Sequence, residues 1–264
     1  MLKLKKSLGQ NFLKDKNIIK KISSIENIEN KTVIEVGPGS GNLTREIIKK
    51  KPKKLILIEK DKRLCEILFN DFKGYKNCEI INKDILDYNF EKKMDNGSII
   101  FGNLPYNIST QILAKFIKLN FWPPFYNKII FMFQKEVAER IIAKKNTKKY
   151  SRISILSHLR LNVINHFAVS KKCFFPVPKV DSKIIIFEPR NLINYKIKNI
   201  ENLEKITNIF FSNRRKMINK PFSRLFNNYV EVAESLGIKL NLRPAELSCN
   251  DYYKITEIFE KKFP

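Results

Sequence analysis

The residue types best suited to chemistry begin with Val33-Ile34-Glu35-Val36-Gly37-Pro38-Gly39-Ser40-Gly41, an apolar run opening into glycines at alternate positions. Such glycines permit a tight turn and let a ligand approach the backbone closely, although a purely structural turn would use them too. Glu59 closes the next apolar run, about 20 residues on, where a carboxylate can hold ribose hydroxyls. The Gly-x-Gly-x-Gly spacing, with an acid two residues before its first glycine, departs from the dinucleotide pattern. It points to S-adenosylmethionine, which has no pyrophosphate to cradle. Asp84, beyond a third apolar run, is placed either to accept from that cofactor's adenine amino group or to cap the turn that follows.

The second stretch is Phe101-Gly102-Asn103-Leu104-Pro105-Tyr106-Asn107-Ile108-Ser109-Thr110. Asn103–Tyr106, at the end of a strand-like run, resembles the (Asn/Asp)-Pro-Pro-(Tyr/Phe) motif of methyltransferases that act on exocyclic amines. An adenine N6 lone pair is delocalised into the ring and is a poor nucleophile. The Asn103 side-chain oxygen and the Leu104 carbonyl can accept both amino hydrogens and hold the nitrogen in line with a methyl donor. Pro105 stiffens the loop, and Tyr106 offers a ring face for stacking the base. A donor that carries its own leaving group needs no Ser, Cys or His nucleophile. A turn with an Asx cap before Ser109 accounts for the backbone here but not for Asn103 and Tyr106 together.

Other reactive residue types form no constellation. Cys65, Cys78, Cys173 and Cys249 are scattered without a CxxC, and His158 and His166 stand apart. We expect no metal site, no disulfide framework and structural roles for both histidines. The 264 residues carry 51 Lys plus Arg against 26 Asp plus Glu, a net charge of +25. That excess suits a polyanionic partner, but a composition rich in Lys, Ile, Asn and Phe also follows from AT-rich codons. No apolar run approaches the ~18 residues of a membrane span, and the basic N-terminus lacks the apolar core of a secretory signal. The expectation is a cytoplasmic protein with no membrane partner.

These residues must be positioned by alternating elements. Thr32–Val36, Leu55–Ile58, Cys78–Ile81, Ser98–Phe101 and Lys128–Phe133 read as strands, mostly apolar on both faces. Asn42–Lys50, Asp61–Asp71, Ser109–Leu119 and Lys135–Lys144 read as the helices between them. This alternation predicts an α/β fold whose parallel sheet is covered on both sides. Asn162–Val169 and Lys183–Phe187 are further strands, separated by an extended loop, Cys173–Asp181, with Pro176 and Pro178. After Pro189 the pattern turns helical: Asn202–Ser212, Arg215–Asn227, Glu231–Leu236, Arg243–Leu247 and Tyr252–Glu260. Two domains are expected, 1–190 and a small all-helical 191–264.

Over nearly its whole length the chain resembles the KsgA/RsmA-type small-subunit ribosomal RNA adenine N6,N6-dimethyltransferases. Ser7-Leu8-Gly9-Gln10-Asn11-Phe12-Leu13 is similar to that family's N-terminal cofactor motif, and Glu35–Gly41, Glu59, Asp84 and Asn103–Thr110 to its successive motifs. Phe174-Phe175-Pro176-Val177-Pro178-Lys179-Val180-Asp181-Ser182 resembles its late loop. Phe210–Lys216 and Arg243–Ser248 resemble landmarks of its helical domain. One departure is Tyr150-Ser151-Arg152, where the family would have a Gly before the Arg.

The resemblance implies a Rossmann-like class I methyltransferase sheet and cofactor contacts at Asn11, Leu13, Gly37, Glu59, Asp84 and Asn103. It implies that Phe174, the loop's first aromatic, packs on the target base. The implied substrate is a pair of adjacent adenosines in a hairpin loop near the 3′ end of 16S rRNA, within the small ribosomal subunit. Each would receive two methyls from S-adenosylmethionine, and the enzyme would act as a monomer. The nearest rival is the Erm-type methyltransferase of large-subunit rRNA. Leu104, the Lys179–Ser182 tail and the helical landmarks favour the small-subunit enzyme. A DNA adenine methyltransferase would need a sequence-recognition domain. A non-catalytic assembly factor would not need Asn103–Tyr106 intact.

Overall fold

A computed structural model describes residues 10–90, 94–191 and 195–263. Ser7–Gly9 of the N-terminal motif lie outside the described residues. The strands are β1 (Phe12–Leu13), β2 (Thr32–Val36), β3 (Lys54–Glu59), β4 (Cys78–Asn82), β5 (Ser98–Asn103), β6 (Tyr126–Gln134), β7 (Leu161–Val169), β8 (Phe174–Phe175) and β9 (Ser182–Pro189). Seven form one sheet in the order β4-β3-β2-β5-β6-β9-β7. β4 to β6 run parallel, and β9 returns antiparallel to β6. The sheet is therefore mixed, with the expected parallel part running from the β4 edge to β6. β1 and β8 pair separately as an antiparallel ribbon, with Leu13 opposite Phe174.

β2 is buried at every residue, as are the apolar residues of β3 and β5. This is why their sequences read as continuous Ile, Leu and Val rather than as an alternation. Helices α1 (Lys16–Ser23), α2 (Asn42–Ile48), α3 (Lys62–Phe72), α4 (Ser109–Ile117) and α5 (Lys135–Ile141) follow in chain order. α1 and the short β1 lie ahead of the first expected strand and add to the predicted elements. The sequence does carry a signal for α1: Asp15 caps it by accepting from the Asn17 and Ile18 N–H groups, and Ile18, Ile19 and Ile22 share a face.

The chain divides into two compact units, 1–138 with 163–189 and 139–162 with 190–264. The sheet belongs to the first. The expected single boundary at 190 differs by one segment, 139–162, which groups with the helical residues. The second unit holds α6 (Arg152–Arg160), α7 (Ile200–Phe211), α8 (Asn219–Leu225), α9 (Tyr229–Ser235) and α10 (Cys249–Lys262). Its core is aromatic, with Phe210 edge-on to both Phe222 and Tyr252. The Tyr252 and Tyr253 hydroxyls donate to the Pro244 and Ile155 carbonyls. His158 shares a hydrogen bond with the Tyr253 hydroxyl, a structural role as expected. α8 starts at Asn219 rather than at Arg215. Pro221 lacks an N–H and fits only the first helical turn, so Arg214–Lys216 fall on the preceding turn.

Glu35 is the one ionisable side chain in the apolar middle of β2, 2% exposed, and it accepts a 2.7 Å hydrogen bond from the Thr44 hydroxyl. Burial pushes its carboxyl up from 4.5 to about 7 against that bond, and the charge of Glu59 adds to the rise. Between these values the native protein keeps a proton that the unfolded chain has released. Stability from this group therefore falls as pH rises through the window and is level above it. Glu35→Gln keeps an acceptor for Thr44 and removes the titration. Chemical denaturation should find the variant more stable than the parent at pH 8, by up to ~3 kcal/mol, and the gap should narrow at pH 5. An equal gap at both values would place the charge elsewhere.

Candidate active site

The parallel strands end at one edge of the sheet and deliver their last residues into one cavity of about 270 Å³. Val36 lies between Ile58 and Gly102 in the register, so Gly37, Glu59 and Asn103 emerge side by side. Gly37, Gly39 and Gly41 all have positive φ, which bends the chain back before α2. At Gly39 a Cβ would also come within 2.8 Å of the Phe12 ring, so the turn needs glycine on two counts. Gly102 serves close packing: a Cβ there would meet the Leu104 side chain at 2.6 Å.

Glu59 is 8% exposed. Its Oε2 accepts from the Gly39 N–H at 3.2 Å and its Oε1 from the Asp61 N–H at 2.9 Å. Burial raises its carboxyl pKa, and those backbone bonds oppose the rise. A carboxylate has about four acceptor sites, so capacity remains for a pair of hydroxyls. Asp61 caps α3 and is held well below the usual carboxylate range by the hydrogen bonds of Arg63. Gln10 also donates to it, at 3.0 Å.

Asp84 takes the capping role of its two readings. It caps the following turn by accepting from the Leu86 N–H, and it lines the cavity. Lys60 donates to its second oxygen at 2.7 Å. Burial pushes the carboxyl up, but these partners outweigh it and the pKa is lowered.

Asn103 ends β5, and its Nδ2 donates to the Asn11 backbone carbonyl at 3.0 Å. With the nitrogen end committed, Oδ1 is the end left to accept from a ligand. Asn42 Nδ2 likewise donates to the Leu13 carbonyl at 2.8 Å. Residues 10–13 thus cross the cavity wall as a strap tied to α2, to Asp61 and to Asn103. Leu104 is buried, and the Tyr106 hydroxyl shares a 2.7 Å hydrogen bond with Ser182.

The structure brings together Asn11, Leu13, Gly37, Glu59, Asp84, Asn103, Leu104 and Tyr106, all of which line the cavity. It does not bring Phe174 to them. That ring is fully buried in the core beside Leu13 and is not part of the cavity wall, whereas Phe175 is 56% exposed. Sequence reasoning placed Gln10 and Ser182 inside motifs but gave them, like Asn42, no role, because their long-range hydrogen bonds to Asp61, Tyr106 and Leu13 have no local signature. No group of three or more His, Cys, Asp or Glu among the described residues is placed to hold a metal ion.

The model of the ribosomal RNA adenine dimethylases matches residues 1–261. The chain belongs to this family. It is 50% identical over 262 residues to ribosomal RNA small subunit methyltransferase A of Pelagibacter ubique (strain HTCC1062), covering 98% of each chain. It is 43% identical to the protein of the same name from Mycoplasmopsis synoviae (strain 53), covering 92% of each. Among solved structures, a dimethyladenosine transferase from Plasmodium falciparum superposes with a TM-score of 0.80 at 29% identity, over 95% of this chain and 98% of that one. The 23S rRNA methyltransferase ErmE shares the fold, with a TM-score of 0.67 at 23% identity over 94% and 99% of the two chains. A family member of this kind is a Rossmann-like methyltransferase.

Glu59 should dominate donor affinity. Each charged hydrogen bond lost is worth about 1.5–3 kcal/mol, so Glu59→Ala should weaken S-adenosylmethionine binding at least tenfold by calorimetry. Unchanged affinity would remove Glu59 from the site.

Proposed function

We propose that this family member dimethylates N6 of two adjacent adenosines in a hairpin loop near the 3′ end of 16S rRNA, on the small ribosomal subunit. It is an rRNA adenine N6,N6-dimethyltransferase, and the single observation that carries the site assignment is the Asn103 amide. Its nitrogen is tied to Asn11, so its oxygen is presented at the strand edge that also carries Glu59.

The cavity fits S-adenosylmethionine. Glu59 has acceptor capacity for the ribose, Asp84 borders the adenine end, and Gly37 has open space where a side chain would stand. Asn11, Leu13 and Phe12 close the wall. When bound there, the cofactor supplies a methyl on a sulfonium, with a neutral thioether as leaving group. The protein's own contribution is placement. In the first transfer Asn103 Oδ1 and the Leu104 carbonyl would accept the two amino hydrogens, and in the second the one that remains, which turns the nitrogen lone pair toward the methyl; each transfer releases one proton from that nitrogen. The Tyr106 face stacks the base, and Pro105 keeps the acceptors in place. A loop adenosine can reach such a pocket, whereas a base inside a duplex cannot.

One base offers too little surface to select a site among all ribosomal nucleotides, so phosphates must supply the rest. Within the helical unit, Asn146, Thr147, Lys148, Arg214, Arg215 and Arg243 border a concavity of about 430 Å³. Arg214 is held there by donating to the Thr147 carbonyl at 3.0 Å. We assign this basic surface, with Lys216, to the RNA backbone of the particle. No helix among the described residues is long and apolar enough to cross a membrane. We assign the enzyme to the cytoplasm, acting as a monomer.

The test is to incubate the protein with radiolabelled S-adenosylmethionine and unmodified small or large subunits, then map the label. Label on adjacent adenosines near the 3′ end of 16S rRNA, up to four methyls per particle, is expected. Label on large subunits would overturn the substrate assignment. In the same system, replacing Arg214, Arg215 and Lys216 with Ala should weaken small-subunit binding and flatten its salt dependence by about two to three contacts, with donor affinity unchanged. A parent-like salt slope would return the cluster to a structural role.

A further inference from the structure

Tyr106 is held at both ends. On the backbone side, its loop is closed by the Ile108 N–H donating to the Pro105 carbonyl at 3.2 Å, and its own carbonyl accepts from the Ser109 hydroxyl at 3.2 Å. At the far end of the ring, the phenol meets the Ser182 hydroxyl at 2.7 Å. Ser182 lies 76 residues away in the sequence and is fully buried. It is the first residue of β9 and sits opposite Gln134, the last residue of β6. Its neighbour Asp181 is fixed twice, with its carbonyl accepting from the Lys135 N–H and its carboxylate from the Lys171 N–H, each at 2.9 Å. The hydroxyl that meets the phenol thus stands on a rigid sheet edge rather than on a loose loop.

From this geometry we propose that Ser182 is a positioning residue for methyl transfer: it acts through Tyr106, fixing the attitude of the ring on which the target base stacks. The inference rests on the reading of Asn103–Tyr106 as the base-holding loop. A ring fixed only at Cβ can swing about χ1. One fixed also at its hydroxyl keeps its long axis in place, and the in-plane preference of the phenol O–H steadies its tilt, so the stacked amine keeps one angle to the acceptors of Asn103 and Leu104. Burial raises the phenol pKa, so the hydroxyl remains a neutral hydrogen-bonding group through physiological pH. Without Ser182 the phenol must seek another partner, and the ring moves with it.

The experiment compares Ser182→Ala, Tyr106→Phe, the double variant and Tyr106→Ala with the parent protein. It measures single-turnover methylation of ribosomal particles, together with S-adenosylmethionine and particle affinities. Ser182→Ala and Tyr106→Phe should each slow turnover by about threefold to tenfold, the weight of one neutral hydrogen bond. Both affinities should stay within about twofold of the parent values. The double variant should be no slower than the slower single variant, because the two changes break the same bond. Multiplying effects, or an unchanged rate in Ser182→Ala, would overturn the proposal. Parallel losses of rate and both affinities would also overturn it, by showing a general structural role. Tyr106→Ala separates the two readings. If it slows turnover and Ser182→Ala does not, only the Ser182 role fails; if it leaves turnover intact, the base-holding loop fails and the Ser182 role with it.

Discussion

The parallel register of β3, β2 and β5 is the constraint on which everything else depends. Val36 lies opposite Ile58 on one side and Gly102 on the other, and the next residue of each chain segment comes to the same end of the sheet. A glycine turn, a carboxylate and an amide lying 66 residues apart at their extremes, Gly37 to Asn103, become neighbours with no direct contact needed to assemble them. The sheet core that enforces this register is almost wholly apolar, so its stability comes from burial rather than from the site. The polar residues at the edge are then free to be chosen for chemistry, with Glu35 as the inward exception.

In a protein of net charge +25 the cavity is lined by Glu35, Glu59 and Asp84 together with Lys60 and Lys83, and the Asp61 N–H donates to Glu59. Asp61 and Asp84 are each neutralised by a local cation, Arg63 and Lys60. Glu35 and Glu59 are buried with hydroxyl or backbone donors instead. The cavity wall thus balances its carboxylates locally, while the excess of positive charge over the rest of the chain suits RNA phosphates.

Much of this was legible in the sequence because it rests on local pattern. Apolar strands, the glycine turn and Asn103–Tyr106 declare themselves within a few residues. What was not legible depends on distant partners. The two-residue strands β1 and β8 are too short to carry a period, and they form only because each finds the other. The Asn11 contribution to Asn103 is a backbone carbonyl, which no side-chain identity reveals. Phe174 looked like a base-stacking ring from its motif, yet pairing with Leu13 turns it into the core and leaves Phe175 outside. The segment 139–162 reads as a continuation of the sheet unit, but its Tyr150 hydroxyl pairs with Cys249 and its Ile155 carbonyl accepts from Tyr253, both within the helical unit.

The central claim is that Asn103 orients the reacting amine while the rest of the strand edge holds the donor. The most direct measurement is the single-turnover rate of Asn103→Ala on unmodified small subunits, taken beside its affinity for S-adenosylmethionine. By analogy with loss of one preorganised hydrogen-bonding group, the rate should fall by roughly 10²-fold or more while donor affinity changes by no more than about fivefold. A parent-like rate, or a fall in rate matched by an equal fall in donor affinity, would contradict the account.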